Sequence, residues 1–394
     1  MREVAVLGVG AHPWGRFDAV PLSQMCRVAI EAALKDAGVT WKEIQAVVAG
    51  GSRFSGGYGW ALNGNEMAAE MGLSGIPVYN LTAACAAGGS AFNIAYTLVA
   101  SGMHDLVLVF GGEKPPRGFF PLSRDEADPL DPQFLQVVGA GLTGPAFWAM
   151  LARRRMHDYG TTEEQLAKVV VKARRLGVHN PIARYRQEIT VEDVLNSPMV
   201  CYPLHLFEIC AISDGAAAAV LASADEARKR TSRPVWVAGA AICTAELGDG
   251  LPRGVSAIGG CAPRAYHSEV AKAVRLAMER AGMGPKDIDL IELQENIPYY
   301  ELALPEEWGF WEPGEGEKML ESGETLPTGK TPINPSGGFL SFGEATTAMG
   351  VWQVYEVTLQ LRGEAGARQV PGAKTGLAQT LGLGPNGSAI VLKR

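Results

Sequence analysis

The sequence predicts an α/β protein made of two related halves, each a sheet covered by helices on both faces. Three observations carry this expectation. Strand-like and helix-like segments alternate along the chain, one helix–glycine–strand unit recurs far downstream, and short glycine runs separate apolar segments. With 394 residues, 47% of them hydrophobic, the chain can bury a large core and suggests two or three domain-sized units.

Val4–Gly8 reads as a buried strand, and Ser23–Ala37 as an amphipathic helix closed by Gly38. Ile44–Ala49 and Asp105–Phe110 read as further strands, the latter running into Gly111-Gly112. Between them, Asn80–Ser101 opens on small residues and continues as a helix. The segment Ala29–Gly38 with its strand from Ile44 is matched by Ala273–Gly282 with a strand from Ile288. Both pairs stand 244 residues apart (38 to 282, 44 to 288), which makes duplication persuasive.

Each half then reaches a small-residue turn and a helix. Thr82–Gly89, around Cys85, leads into Ala91–Val99, and Ser336–Glu344 leads into Ala345–Leu361. Comparable positions of a pseudo-symmetric molecule meet near its two-fold axis, so Cys85 and Glu344 are expected to face each other. Residues from about 114 to 232 have no counterpart in the second half. They predict an inserted loop domain, about 114–210, that rejoins the first half at the strand Ala216–Leu221. The expected halves are residues 1–232 and 233–394.

Composition removes several classes of function. A net charge of −7 without a basic stripe speaks against nucleic-acid binding. No apolar run reaches the roughly 18–20 residues of a membrane span. The first residues enter an apolar strand rather than a basic region and signal-peptide core. Cys26, Cys85, Cys201, Cys210, Cys243 and Cys261 form no Cys-x-x-Cys pair, which argues against a metal site and for reduced thiols in the cytoplasm.

The segments Val4–Gly10, Ala83–Gly89, Gly111-Gly112-Glu113, Ser213–Ala218, Asn334–Gly338 and the closing loop Gly382–Gly387 occur in an order and spacing that resembles the thiolase superfamily. Within it, the chain looks most like the sterol-carrier-protein/lipid-transfer type of thiolase-like protein, over nearly its whole length. The resemblance implies the thiolase fold, with two mixed five-stranded halves layered α/β/α/β/α and a loop-domain insertion. It implies obligate homodimers, acyl-CoA substrates, and coenzyme A as a substrate rather than a covalently bound cofactor. Thiolases of the benzoylsuccinyl-CoA type work with a small zinc-ribbon/OB-fold companion chain, so a separate partner of that kind is compatible with the missing zinc motif.

The departures bear on mechanism. Such enzymes normally carry Gly-His-Pro where this chain has Gly343-Glu344-Ala345. Their second acid/base cysteine lies in the closing loop or in a His-Asp-Cys-Phe motif. Here Thr380–Gly384 holds no cysteine, and the motif position reads Gln294-Glu295-Asn296-Ile297.

Cys85 just before a helix suits a nucleophile, although buried cysteines are also common packing residues. The helix dipole favours its thiolate by about 0.3–1 kcal/mol. A carboxylate at about 4 Å, with an effective dielectric of 20, opposes it by roughly 4 kcal/mol. Repulsion wins, so the expected resting pair is a Cys85 thiol with a Glu344 carboxylate that accepts a proton during attack. Glu344 turned outward beside the helix start is the alternative.

Gln294, Glu295 and Asn296 follow a strand and are expected to open into the same pocket. Gln294 or Asn296 would supply an oxyanion donor with backbone groups near Gly343 and Gly382 to Gly384, and Glu295 a base or an orienting group. Tyr299 either protonates an enolate or packs, and His205 is structural or lines the pocket. Arg153-Arg154-Arg155 reads as a solvated helix face, and Gly8-Val9-Gly10 as too interrupted by Pro13 and Trp14 for a dinucleotide loop. Three readings stay open: a thiolase working through an acyl-Cys85 intermediate, a retro-aldolase on a CoA-thioester side chain, and a non-catalytic acyl or lipid carrier.

Overall fold

A computed structural model of the chain describes residues 2–51, 63–115, 143–245, 268–382 and 386–394. The strands among them are β1 (Val4–Gly15), β2 (Ala46–Gly51), β3 (Val78–Thr82), β4 (Leu106–Glu113), β5 (Met199–Cys201), β6 (Leu204–His205), β7 (Asp214–Ser223), β8 (Val235–Thr244), β9 (Leu290–Glu292), β10 (Thr375–Gly382) and β11 (Asn386–Lys393). Nine form one sheet in the order β3-β2-β4-β7-β1-β8-β11-β10-β9, while β5 and β6 pair separately.

The sequence repeat is a structural repeat. Helix Leu22–Ala37 closes on Gly38 at φ 64, and helix Glu269–Ala281 on Gly282 at φ 65. Both glycines take the left-handed conformation that a Cβ would strain. One 3-10 turn follows each helix, Trp41–Glu43 and Pro285–Asp287, and then β2 and β9 begin 244 residues apart, at 46 and 290. In the first half β3, β2 and β4 run parallel, with β7 and β1 added antiparallel. In the second, β9 and β10 are parallel, with β11 and β8 added antiparallel.

The place of β3 in the second half shrinks to a single parallel bridge, Ile291 to Ile333. Among its described residues that half has four strands and a bridge where five strands were expected. The halves join at β1–β8 through only two pairs, Ala5–Trp236 and Val6–Val235.

Alternation along the strands divides the core into layers. Leu7, Val47 and Leu108 pack on helix Leu22–Ala37. Val6, Val48 and Val107 face inward with Leu290, Ala378 and Ile390 of the other half, around helices Ala87–Ala100 and Met349–Arg362. Ile291, Leu377 and Val391 face outward onto helix Glu269–Ala281. The order is helix, sheet, helix pair, sheet, helix, which is the thiolase layering. The two central helices cross so closely that a Cβ on Gly350 would lie 2.5 Å from the Gly89 Cα. That crossing accounts for Gly88, whose Cβ would stand 3.1 Å from Gly350 N, whereas one on Gly89 would meet the Ser388 and Thr380 side chains of β11 and β10.

The central helices start at Ala87 and Met349, four residues before and four after the sequence pattern. Gly338–Phe342 is a separate helical turn. The described part of the insertion holds helices Gly144–Tyr159, Glu163–Gly177 and Val191–Leu195 beside the β5–β6 pair. Arg155 corrects the expectation of a solvated basic face. Its guanidinium is buried and pairs with Glu306 at 2.7 Å and Glu317 at 2.6 Å, fastening the insertion to the second half. Among the described residues no helix is long and apolar enough to cross a membrane, and no group of three or more His, Cys, Asp or Glu could hold a metal ion.

Candidate active site

Cys85 sits on a sharp strand-to-helix turn. After β3, Ala84 takes φ 48, a left-handed conformation rare outside glycine and worth about 1–3 kcal/mol of strain. Ala84–Ala86 then make one 3-10 turn before the helix from Ala87, with the Ala86 N–H donating to the Ala83 carbonyl at 3.0 Å. Gly382, the last residue of β10, lies against this turn: a Cβ there would stand 2.7 Å from Ala86 N. Its part is to let the second half press on the Cys85 turn.

Glu344 arrives from the opposite half. Gly343 turns the chain at φ 79 and donates its N–H to the Phe339 carbonyl at 2.6 Å. Glu344 then pairs with the segment before β7, its N–H donating to Ala211 O at 2.6 Å and its carbonyl accepting from Ser213 N–H at 2.9 Å. Behind it, Phe342 packs on Trp352 with ring centroids 4.3 Å apart, and Trp14 and Phe339 complete the cluster. Such ring pairs contribute about 0.5–1.5 kcal/mol each beyond area burial. They fix the backbone from which the carboxylate projects.

The Cys85 thiol donates to the Glu344 carboxylate. Two further groups converge there. Cys210 Sγ lies 3.9 Å from Glu344 Oε2, and Asn296 Nδ2 donates both to Cys210 Sγ, at 3.3 Å, and to Glu344. The Cys210 N–H donates to the Asn296 carbonyl at 2.9 Å. One carboxylate, two thiols and one amide therefore share a buried cluster.

Burial and the Glu344 charge both raise the Cys85 thiol well above the ordinary range, and the same two causes raise Cys210. Burial also raises the Glu344 carboxyl, while hydrogen bonds from Cys85, Asn296 and Cys210 pull it back. Both cysteines are therefore held as thiols beside the Glu344 carboxyl.

Alternation along the strand end separates residues expected together. Gln294 and Asn296 share a side, and Glu295 takes the other, where Oε1 accepts from the Leu340 N–H at 3.2 Å. Both ends of the Gln294 amide are engaged. Its Nε2 donates to Asn296 Oδ1 at 2.9 Å and its Oε1 accepts from the Leu381 N–H at 2.8 Å, so it orients Asn296. The Gly343 N–H is likewise already spent on Phe339.

Tyr299 lies in helix Pro298–Glu307 and packs edge-on against Tyr300 with centroids 5.4 Å apart. His205 is buried in the insertion, its Nδ1 2.7 Å from the Ser197 carbonyl and its Nε2 3.9 Å from Glu163, away from the cluster. Gly384 lies outside the described residues.

Cys210 is the site residue that sequence reasoning missed. It stands in the apolar run Leu206-Phe207-Glu208-Ile209-Cys210-Ala211-Ile212, which reads as core. The available signal was its position four residues before the Asp214–Ser223 strand, whose entry must lie near the sheet's active edge.

A five-layered α/β fold with a buried cysteine on a strand–helix turn, faced across an internal two-fold by a buried carboxyl, points to the class of acyl-thioester carbon–carbon enzymes. The chain belongs to the thiolase family: a thiolase N-terminal domain model matches residues 5–225, and a thiolase C-terminal domain-like model matches residues 261–394. It is 37% identical to an acetyl-CoA acetyltransferase of Methanothermobacter thermautotrophicus, over 99% of each chain. It is 31% identical to the benzoylsuccinyl-CoA thiolase subunit BbsB of Thauera aromatica, over 94% of this chain and 91% of that one. Among solved structures, a chain of an Ltp2-ChsH2(DUF35) aldolase superimposes with a TM-score of 0.83 at 25% identity, covering 99% of this chain and 97% of that one.

Proposed function

We propose that this protein is an atypical thiolase that cleaves or forms a carbon–carbon bond of a β-ketoacyl-CoA through an acyl-Cys85 intermediate. The observation that carries the reading is the fully buried Glu344 carboxylate accepting from the thiols of Cys85 and Cys210. In the cleavage direction Cys85 Sγ attacks the keto carbon while Glu344 takes the thiol proton. The bond between the α and β carbons breaks, its electron pair stays on the α carbon, and the Cys210 thiol protonates that carbon. Free CoA then gives its thiol proton to Cys210 and attacks the acyl-cysteine, and Glu344 returns its proton to the departing Cys85 sulfur. Protons and electron pairs close over the cycle. Asn296 holds Glu344 and Cys210 in line, and Gln294 holds Asn296.

The working unit in this proposal is a homodimer that engages a small zinc-ribbon/OB-fold chain. Support comes from the subunit status of the Thauera aromatica relative and from the two-component name of the aldolase neighbour. That neighbour also favours a second reading, retro-aldol cleavage of a CoA-thioester side chain, in which Glu344 acts as base and no acyl-enzyme forms. Intact-mass measurement after mixing with a β-ketoacyl-CoA separates the two. The thiolase reading expects an acyl adduct that Cys85→Ala removes together with turnover. Turnover that survives Cys85→Ala without any adduct would replace it with the aldolase.

A further inference from the structure

Beside Cys210 opens a cavity of about 1180 Å³ whose walls differ in kind. One wall is apolar and solvent-facing, with Val200, Leu206 and Phe207 each more than a third exposed. The other is cationic. Arg174, Arg184 and Arg186 line it, and no carboxylate is among its described lining residues.

These arginines are not ordinary surface cations. Arg174 is only 9% exposed and lies over the Tyr185 ring at 3.8 Å, and its Nε has no hydrogen-bond partner. Among the described residues no acid lies within ion-pair distance of it. Burial, with Arg184 close by, holds its pKa down to about 10. A buried guanidinium without a counter-ion is costly, and it is pre-organised to accept an anion two-pronged. Arg184 lies over the same tyrosine ring at 4.8 Å and is anchored by Nη1 donating to Ile212 O at 2.6 Å and Ser213 Oγ at 3.0 Å.

We propose that Arg174 and Arg184 receive a carboxylate carried by the acyl group, so that the site selects acidic acyl-CoA thioesters over neutral ones. This deepens, and rests on, the acyl-CoA reading of the Cys85 cluster. The anion could come from the acyl group or from the CoA phosphates, and position favours the former. Arg184 is bonded to Ile212 and Ser213, the residues that pair with Glu344, and the cavity wall includes Cys210 itself. The pantetheine arm keeps the phosphates its full length away from the thioester, whereas a carboxylate a few carbons along the acyl chain falls beside these groups.

The test is calorimetric titration of the full chain with the carba(dethia) analogues of succinyl-CoA and butyryl-CoA, in which a methylene replaces the thioester sulfur and which differ in a terminal carboxylate against a methyl. Binding is measured without turnover, so the result stands apart from whether Cys85 is acylated. The succinyl analogue is expected to bind at least about tenfold tighter, as charge-assisted hydrogen bonds warrant. Arg174→Gln should erase that preference and leave butyryl-analogue affinity unchanged, with Arg174→Lys in between. Equal affinity of the wild type for both analogues overturns the proposal. So does an Arg174→Gln variant that loses both analogues and free CoA alike, which would assign the arginines to CoA phosphate. Failure of wild-type protein to bind either analogue or CoA would instead remove the acyl-CoA reading beneath it.

Discussion

From helix Leu22–Ala37 through β2, and from helix Glu269–Ala281 through β9, the two halves agree turn by turn, down to the left-handed glycines at 38 and 282. Beyond those strands their chemistry diverges. The first half sets thiols in an alanine frame, Ala83-Ala84-Cys85-Ala86-Ala87 and Cys210-Ala211. The second buries carboxylates, among them Glu292, Glu295, Glu301, Glu344 and Glu356. Duplication supplied a scaffold in which equivalent turns meet, and divergence left a thiol, Cys85, on one turn and a carboxyl, Glu344, on the other. Neither half holds the cluster alone.

The largest expected effect comes from removing the carboxylate. Glu344→Gln should lower steady-state turnover by about 10²–10⁴-fold, the usual worth of general acid–base catalysis. The Glu344 charge raises the Cys85 thiol, so its loss lowers that pKa and increases thiolate at a given pH. Iodoacetamide alkylation of Cys85 at pH 8, followed by mass spectrometry, should therefore speed up while turnover falls. Slower or unchanged alkylation would separate the two turns that the comparison joins.

Cys210→Ala tests whether the first half contributes two working thiols or one. Bond-cleaving turnover of a β-ketoacyl-CoA should fall about 10²-fold. Acylation of Cys85 by a simple acyl-CoA, read by intact mass, should persist because Cys85 and Glu344 remain paired. Gly382→Ala tests the contact between halves. The new Cβ would push on Ala86 N, displace the Cys85 turn, and cost up to about 10²-fold in kcat. Overpacking would add about 1–3 kcal/mol of destabilisation in denaturant titration.

How far the sequence led follows from the range of the interactions involved. The 244-residue repeat, the Cys85 turn and its meeting with Glu344 were legible, because helix caps, strand runs and turn glycines are local signals. Cys210 was not legible as a site residue. Its position in the cluster is set by the pairing of Ile212 with Glu344, a contact across 132 residues of chain (344 − 212). The period-2 alternation that sends Glu295 away from Gln294 and Asn296 was available in principle, but only once the strand end is known to continue extended past Leu293. Arg155 looked like surface because its partners, Glu306 and Glu317, are supplied by another element.

The mildest and most revealing test concerns a pair of equivalent strand positions. Val48 in β2 and Glu292 in β9 stand 244 residues apart, and both face the central helix layer. Burial first, and then the Glu356 charge, push the Glu292 carboxyl up to about 8, against donors from Ser336 that hold it down. A carboxyl raised in the folded state binds its proton more tightly there than in the unfolded chain. Its contribution to stability therefore falls as pH climbs from its unfolded value of 4.5 through about 8. Glu292→Gln imitates the protonated form, and the Ser336 hydroxyl can rotate to accept from the new amide. The variant should melt close to wild type at pH 4.5 and higher at pH 8.5, by about 1–2 °C for each kcal/mol regained. Equal pH slopes would show that β9 tolerates its acid as readily as β2 holds its valine, and the contrast between the halves would then be confined to the catalytic turns.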